Sequence, residues 1–412
     1  MLSVKICSNL YYKFFLKILI SFLKDLIKKD GFTLIDHTGN KYIIGKPNNG
    51  NKIQLIIHNK KLYRKLIFSP GLFFGEAYMK KQVSLNYGNL SNFLEIVLKN
   101  VEGRQSIFKE ASINKLIFKI KSFLKKNNLV NSKINVAHHY DISDDLYKLF
   151  LDKNMQYSCG FFKNENDSLE TAQKNKINYI IRKLNISDSM KVLDIGSGWG
   201  SLSLEIARQT GAEVMGITLS ENQLLYSKKI LSNSNLDHLV KFKLLDYRNV
   251  VGTFDRIVSV GMFEHVGLNF YKDYFNSISK LLKKDGFALL HTIGSLNPPG
   301  PVEPWITKYI FPGGYVPTVS EIAPIIENSN LMLSDLEIWR EHYAKTLSLW
   351  KDNFFKNKES IEKMFDEEFV RMWEYYLASC QYSFIYSKNV VFQALLSKKL
   401  DSVPVTRDYI YD

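Results

Sequence analysis

At 412 residues the chain has room for two or three domains, and an apolar fraction of 45% supplies a real core. Three cysteines without a CxxC pair exclude a disulfide scaffold and a zinc ribbon, and fit a reducing, cytoplasmic setting. The net charge of +14 is uneven: residues 1–135 hold 24 of the 55 Lys+Arg against 7 of the 41 Asp+Glu, leaving 31 against 34 in the remainder.

A Lys- and Asn-rich base composition would act on both parts, yet only the first is basic. A basic face meets nucleic acid or an anionic leaflet, and the N-terminal pattern favours the leaflet. In YYKFFLKILISFLKDLIKK, Lys13, Lys17, Ser21, Lys24, Asp25, Lys28 and Lys29 form a narrow polar stripe at helical spacing. The uncharged run Ile18–Leu23 is six residues, far below the ~20 that span a bilayer. A wide apolar face with a lysine rim suits an interfacial helix over residues 1–30. It equally suits a helix docked on its own domain or on a second copy.

From Gly31 to Leu85 the pattern is strand-like. FTLIDHTGNKYIIG sets turn residues between two β-rich runs, KIQLIIH reads as another strand, and Leu90–Val101 as a helix. The expected division is a basic α+β lipid-associating domain over 31–105, a helical linker over 106–135, and a catalytic domain over 136–412.

From Lys191 strands and helices alternate. KVLDIG, EVMGITLS, KFKLLD, FDRIVSVG and FALLHTIG are short apolar runs separated by helical stretches, which predicts an α/β fold with a doubly wound parallel sheet. Such sheets bind ligands beyond the carboxyl ends of their strands. Reactive groups stand there: Asp194 to Gly196, Thr218, Asp246, Glu264 and His291.

In VLDIGSGWG the glycines Gly196, Gly198 and Gly200 follow a strand and open a helix, so backbone N–H groups approach a ligand. The spacing is G-x-G-x-G. After the second strand, where nicotinamide enzymes keep a ribose-binding acid, stands Thr218-Leu219-Ser220. Asp194 suits a cationic ligand end better than a pyrophosphate. These features favour S-adenosylmethionine over a dinucleotide.

AHHYDISDDLYKLFLDKNMQYSCGFF, VLDIGSGWGSL, GITLSENQ, FDRIVSVGMFEHVG, LLHTIG, KYIFPGGYVP and YYLASCQYSF follow in that order. Together they resemble the cyclopropane-fatty-acyl-phospholipid and mycolic acid cyclopropane synthases over about Ala137 to Phe392. GEAYMKKQVSLNYGNL carries a weaker likeness to the basic N-terminal domain of the bacterial phospholipid enzymes. The resemblance implies a class I methyltransferase sheet and methylene transfer from S-adenosylmethionine across a cis double bond of a phospholipid acyl chain.

An alkene is a weak nucleophile and a sulfonium methyl a strong electrophile, so proximity in a dry pocket can drive attack. Ring closure then needs a base within about 3 Å of the new methyl group. In the resembled enzymes that base is bound bicarbonate. Its holders correspond here to Cys159, Glu264, His291, the Ile293 backbone and Tyr343. Taken alone, Cys159 reads as a core thiol, Glu264 as a solvated strand end and His291 as a satisfied core histidine. Zinc ligation by the three is not supported by spacing.

The resemblance also assigns cofactor contacts: Tyr157 and Ser158, Val192 to Gly200 (Val192, Asp194 and the glycines), Thr218 and Gln223, then Asp246, Tyr247 and Arg248. Ser197 stands where relatives usually have cysteine. Tyr247-Arg248 replaces the Trp-Glu of the mycolic enzymes, which leans toward the phospholipid branch. Cys380, in a tyrosine-rich helix, is traditionally an active-site residue of the family, although core packing explains it as well. His138, His139 and Asp141 are expected to cover the cofactor. The implied partners are an anionic inner-leaflet surface and an unsaturated phospholipid, with no nucleic acid, and a homodimer by resemblance only.

Overall fold

The computed structural model describes residues 2–47, 52–101 and 143–411, with side chains from Leu10 onward. The linker expected over 106–135 and His138, His139 and Asp141 lie outside the described residues. The chain divides into two compact units. One is Met1–Ala111 with Glu303–Ile310 and Phe354–Ser387; the other is Ser112–Val302, Phe311–Asn353 and Lys388–Asp412.

The first unit opens with the helix Leu2–Leu26, which buries Leu16, Leu19 and Leu26 and leaves Leu10, Lys13, Phe14, Lys17 and Lys24 exposed. The expected hairpin forms β1 (Gly31–Ile35) and β2 (Lys41–Gly45), paired antiparallel. Its turn is closed by Asp36, whose carboxylate accepts from the Thr38 and Asn40 backbone N–H groups at 2.8 and 3.0 Å. β3 (Gln54–Ile57) joins β1 in parallel, and β4 (Val83–Asn86) joins β3 antiparallel, giving the order β2-β1-β3-β4.

Two findings differ from the expectation here. The strand-like reading of 31–85 misses the helices Leu62–Phe68 and Pro70–Met79. Pro70 at the first helical turn starts the second, and Phe74, Ala77 and Tyr78 are buried at helical spacing. The helices Pro304–Tyr309 and Glu367–Tyr386 also belong to this unit, not to a catalytic block running from 136 to 412. Their aromatic residues bury against Pro70–Met79: Tyr375 meets Trp305 edge-on at 4.5 Å and Phe74 at 6.1 Å. Tyr78 donates to Glu374 Oε2 at 2.6 Å, and Arg371 Nε donates to the Tyr78 carbonyl at 2.6 Å. Aromatic burial of this size outweighs continuity along the chain.

The second unit is built on β5 (Lys191–Ile195), β6 (Glu213–Thr218), β7 (Val240–Leu244), β8 (Phe254–Val260), β9 (Leu282–Ser295), β10 (Met332–Trp339) and β11 (Asn389–Ser397). Their order is β10-β11-β9-β8-β5-β6-β7. The five anticipated strands are parallel, as doubly wound topology requires. β10 and β11 are additional and antiparallel. Both faces of the sheet are covered: Leu193, Ile195 and Ile257 enter one core, and Val192, Val214 and Val258 the other. Strand order reverses between β5 and β8, so the glycine turn after β5 opens at the switch point.

Candidate active site

The turn after β5 holds its glycines at φ +80° (Gly196), +55° (Gly198) and +92° (Gly200), a region open to glycine and costly for other residues. A Cβ on Gly196 would stand 2.8 Å from the Met262 side chain, and one on Gly200 would stand 2.7 Å from the Phe242 ring. The helix Ser201–Thr210 begins directly afterward. Its first turn, at Ser201 and Leu202, lines a cavity of about 1150 Å³, open solvent at its mouth included, where the N–H groups of a helix start lack partners within the helix.

The cavity is lined by Tyr157, Ser158, Asp194, Gly196, Gly198, Thr218, Gln223, Asp246, Tyr247 and Arg248, the positions assigned to cofactor binding. Val192 and Gly200 are held just outside, within the strand core and at the helix start. Asp194 is buried, with Oδ2 accepting from Ser203 Oγ at 2.7 Å. Burial pushes its carboxyl up to about 7, against the Ser203 hydrogen bond. Thr218 donates to Gln223 Oε1 at 2.8 Å, and Ser220 caps the helix Glu221–Ser232. Asp246 is claimed by Arg248 in a two-pronged pair, 2.8 Å at each oxygen, so the third strand end presents a neutral, planar surface beside Tyr247. Ser197 Oγ is buried with no partner, an orphaned polar atom in the cavity wall. The cradle and this orphan fit the amino-acid end of S-adenosylmethionine.

None of the five anion-holding candidates lines this cavity. Glu264 sits on a 3-10 turn (Phe263–His265) after β8, half-buried as a residue with its carboxylate turned inward, and Oε1 accepts from the Ile293 N–H at 2.6 Å. Oε2 has no partner. Burial raises its carboxyl to about 7 against the Ile293 bond and weaker help from its own backbone N–H and the Thr292 hydroxyl. The Ile293 N–H is therefore engaged by Glu264, a difference from its expected role as a free anion donor. His291, two residues earlier on β9, is buried, with Nδ1 in hydrogen-bond contact with the Gln393 side-chain amide nitrogen at 3.1 Å. Burial, with Lys176 and Lys183 nearby, holds it well below its usual pKa.

Cys159 is completely buried, and burial raises its thiol well above the ordinary range. It is inert as a nucleophile. The next residue, Gly160, donates its N–H to Thr346 Oγ1 at 3.0 Å, and Phe162 N–H donates to His342 Nδ1 at 3.1 Å. These bonds pin the MQYSCGFF segment to the helix His342–Lys356, which also carries Tyr343. Tyr343 and Tyr157 meet through Trp350, at 5.9 and 5.1 Å. Cys380 belongs to the other unit. It lies on Glu367–Tyr386 in the first unit, partly buried, its thiol pushed up to about 12 by burial and by Glu303.

Sequence reasoning missed Lys176. It is fully buried on the helix Leu169–Lys183, and its ammonium donates to Ser158 Oγ at 2.6 Å. Burial lowers it to about 8, with Asp152 and Cys159 opposing. Among surrounding residues that read as an amphipathic surface helix, only its place on the inward stripe set by Ala172, Gln173 and Ile177 signals burial.

Residues 127–394 match the family model for mycolic acid cyclopropane synthetase. The chain is 39% identical over 264 residues to a cyclopropane-fatty-acyl-phospholipid synthase of Escherichia coli (strain K12), covering 64% of this chain and 68% of that one. It is 35% identical over 263 residues to the tuberculostearic acid methyltransferase UfaA1 of Mycobacterium tuberculosis, 61% of each chain. Among solved structures it resembles mycolic acid cyclopropane synthase CmaA1 complexed with SAH and CTAB. The TM-score is 0.61 at 32% identity, over 64% of this chain and 97% of that one. With the strand order and glycine cradle described above, the chain belongs to the mycolic acid cyclopropane synthetase family of S-adenosylmethionine-dependent methyltransferases.

Proposed function

We propose that the protein transfers a methylene group to the cis double bond of an unsaturated phospholipid acyl chain, forming a cyclopropane ring. The observation that carries this reading is the enclosed carboxylate of Glu264, with one oxygen bound by Ile293 N–H and the other without a hydrogen-bond partner. Bound S-adenosylmethionine supplies an electrophilic methyl group. The cradle after β5 holds its amino-acid end, and Tyr247-Arg248 flank the far side of the cavity. Bicarbonate, when bound, supplies a weak base. Its hydroxyl matches the orphaned Oε2 of Glu264, and Lys176 contributes a positive charge that favours an anion among Cys159, His291 and Tyr343. Cys159 acts as a neutral holder, since burial keeps it a thiol.

Lipid mass spectrometry of cells expressing the protein tests the reaction. The expected result is a gain of one CH2 with loss of the double bond. A gain of CH2 with the double bond kept would replace this reading by methylation without ring closure. Cys159→Ser is expected to lower turnover by about tenfold, with partial recovery as bicarbonate is raised. Unchanged rates in bicarbonate-depleted buffer would remove bicarbonate from the reaction.

The first unit is suited to an anionic lipid surface. Among the described residues no helix is long and apolar enough to cross a membrane. On Leu2–Leu26, Leu10 and Phe14 are 64% and 60% exposed beside Lys13 and Lys17. Apolar side chains flanked by lysines lie stably in a headgroup layer. Leu10→Ser with Phe14→Ser is expected to weaken sedimentation with phosphatidylglycerol vesicles at least fivefold while sparing the fold. Equal binding by the variant would show that this helix is not the contact.

A further inference from the structure

Three side chains stand in one row across neighbouring strands. Glu337 on β10 is paired with Gln393 on β11, and Gln393 with His291 on β9. Lys183, the last residue of Leu169–Lys183, reaches into this row with its ammonium fully buried. It donates to Glu337 Oε2 at 2.5 Å and to Gln393 Oε1 at 3.1 Å. Glu337 is held in turn by Tyr179 OH at 2.9 Å and Trp339 Nε1 at 2.8 Å. The Trp339 ring also meets the His291 ring edge-on at 5.3 Å.

These contacts determine the orientation of the Gln393 amide. An ammonium can only donate, so the atom facing Lys183 must be the amide oxygen. The amide NH2 then faces His291 Nδ1, which must be a lone-pair acceptor. The ring proton is left on Nε2. An imidazolium, or the opposite tautomer, would set an N–H of the ring against the NH2 of Gln393.

We infer that Gln393 and Lys183 are positioning residues that lock His291 as the neutral Nε2–H tautomer, a hydrogen-bond donor with no base function. The consequence for the reaction is direct. His291 cannot take the proton that leaves the new methyl group, because its one lone pair is already occupied by Gln393. That proton must go to another base. This inference rests on the reading of His291 as a residue of the reaction centre, but its tautomer can be measured without turnover.

Nitrogen-15 NMR of histidine-labelled protein at pH 7, with the His291 signals identified by their loss in His291→Gln, is the test. Wild-type protein is expected to show a protonated Nε2 and an unprotonated Nδ1. Gln393→Glu turns the donor facing Nδ1 into an acceptor and is expected to bring a proton to Nδ1. Lys183→Met frees the amide to turn and is expected to give a mixture of tautomers. It serves where Gln393→Glu does not fold. A wild-type signal with Nδ1 protonated, or a pure Nε2–H pattern retained in every folded variant, would overturn the lock. Product formation is read separately: a fall of at least tenfold in Gln393→Glu, with S-adenosylhomocysteine affinity within twofold, supports the donor role of His291. An inverted tautomer with unchanged turnover would keep the lock and defeat that role.

Discussion

Glutamine in place of Glu264 is expected to stabilise the protein above pH 7 while lowering turnover about a hundredfold or more. Burial lifts the Glu264 carboxyl from 4.5 to about 7. A group raised in this way favours folding below its unfolded value near 4.5, and the benefit is lost as pH rises through 7. At pH 8 the ionised carboxylate therefore costs about 3 kcal/mol relative to acid conditions. Glutamine keeps an oxygen for the Ile293 N–H and removes the charge. Its NH2 at the former Oε2 position lacks an acceptor, which returns about 1–2 kcal/mol of the gain. The net gain of about 1–2 kcal/mol should raise the melting temperature by a few degrees at pH 8, whereas at pH 5, where little of the charge cost remains to offset the unpaired NH2, the melting temperature should be equal to or slightly below that of the wild type. Turnover falls because an amide presents a donor where the base's hydroxyl needs an acceptor. Equal destabilisation at both pH values would mean that Glu264 is held ionised by partners other than those described.

Lys176→Met addresses the opposite charge. Burial lowers the ammonium from 10.5 to about 8, so the cost of burying it is fully present below pH 8 and is relieved as pH rises toward 10.5. That cost is about 3 kcal/mol at pH 7. Methionine removes it, at the expense of the hydrogen bond to Ser158 Oγ and the attraction to Asp152. Stability at pH 7 is expected to be equal to or above that of the wild type. Turnover is expected to fall about a hundredfold, the usual consequence of removing one charge-stabilising group from a dry site. Denaturant melts and turnover as a function of bicarbonate, measured side by side, check both parts. Saturating bicarbonate at wild-type concentration would show that the anion does not depend on Lys176. A loss of S-adenosylhomocysteine binding would instead mean that Lys176 shapes the cofactor cavity through Ser158.

Both variants follow one physical pattern. A pair of ionisable groups is buried without full compensation, each at a cost in stability, in the place where chemistry needs a pocket free of water. Ser197 Oγ and Glu264 Oε2, two unpartnered buried atoms among the described residues, belong to the same pattern.

Much of this was legible in the order of residues. Hydrophobic runs and their helical spacers define β5 to β9, because a strand buried on both faces of a parallel sheet must be apolar at nearly every position. The glycine turn was legible for a different reason: positive φ at Gly196, Gly198 and Gly200 leaves glycine almost no substitute. The identities of Glu264, His291 and Cys159 were visible as well, since each stands at a strand end or in a motif with fixed order.

Only the tertiary structure decided which partners those residues have. Gln393 meets His291 because β11 returns antiparallel beside β9, across 102 positions of sequence. Lys183 and Lys176 read as surface lysines on an amphipathic helix until their neighbours close over them. The Ile293 N–H faces Glu264 because the turn after β8 folds back on β9. Local sequence reports backbone preference and periodic burial, which are properties of a few consecutive residues. Protonation, tautomer and charge compensation depend on side chains that come together from distant strands, and those are properties of the closed fold.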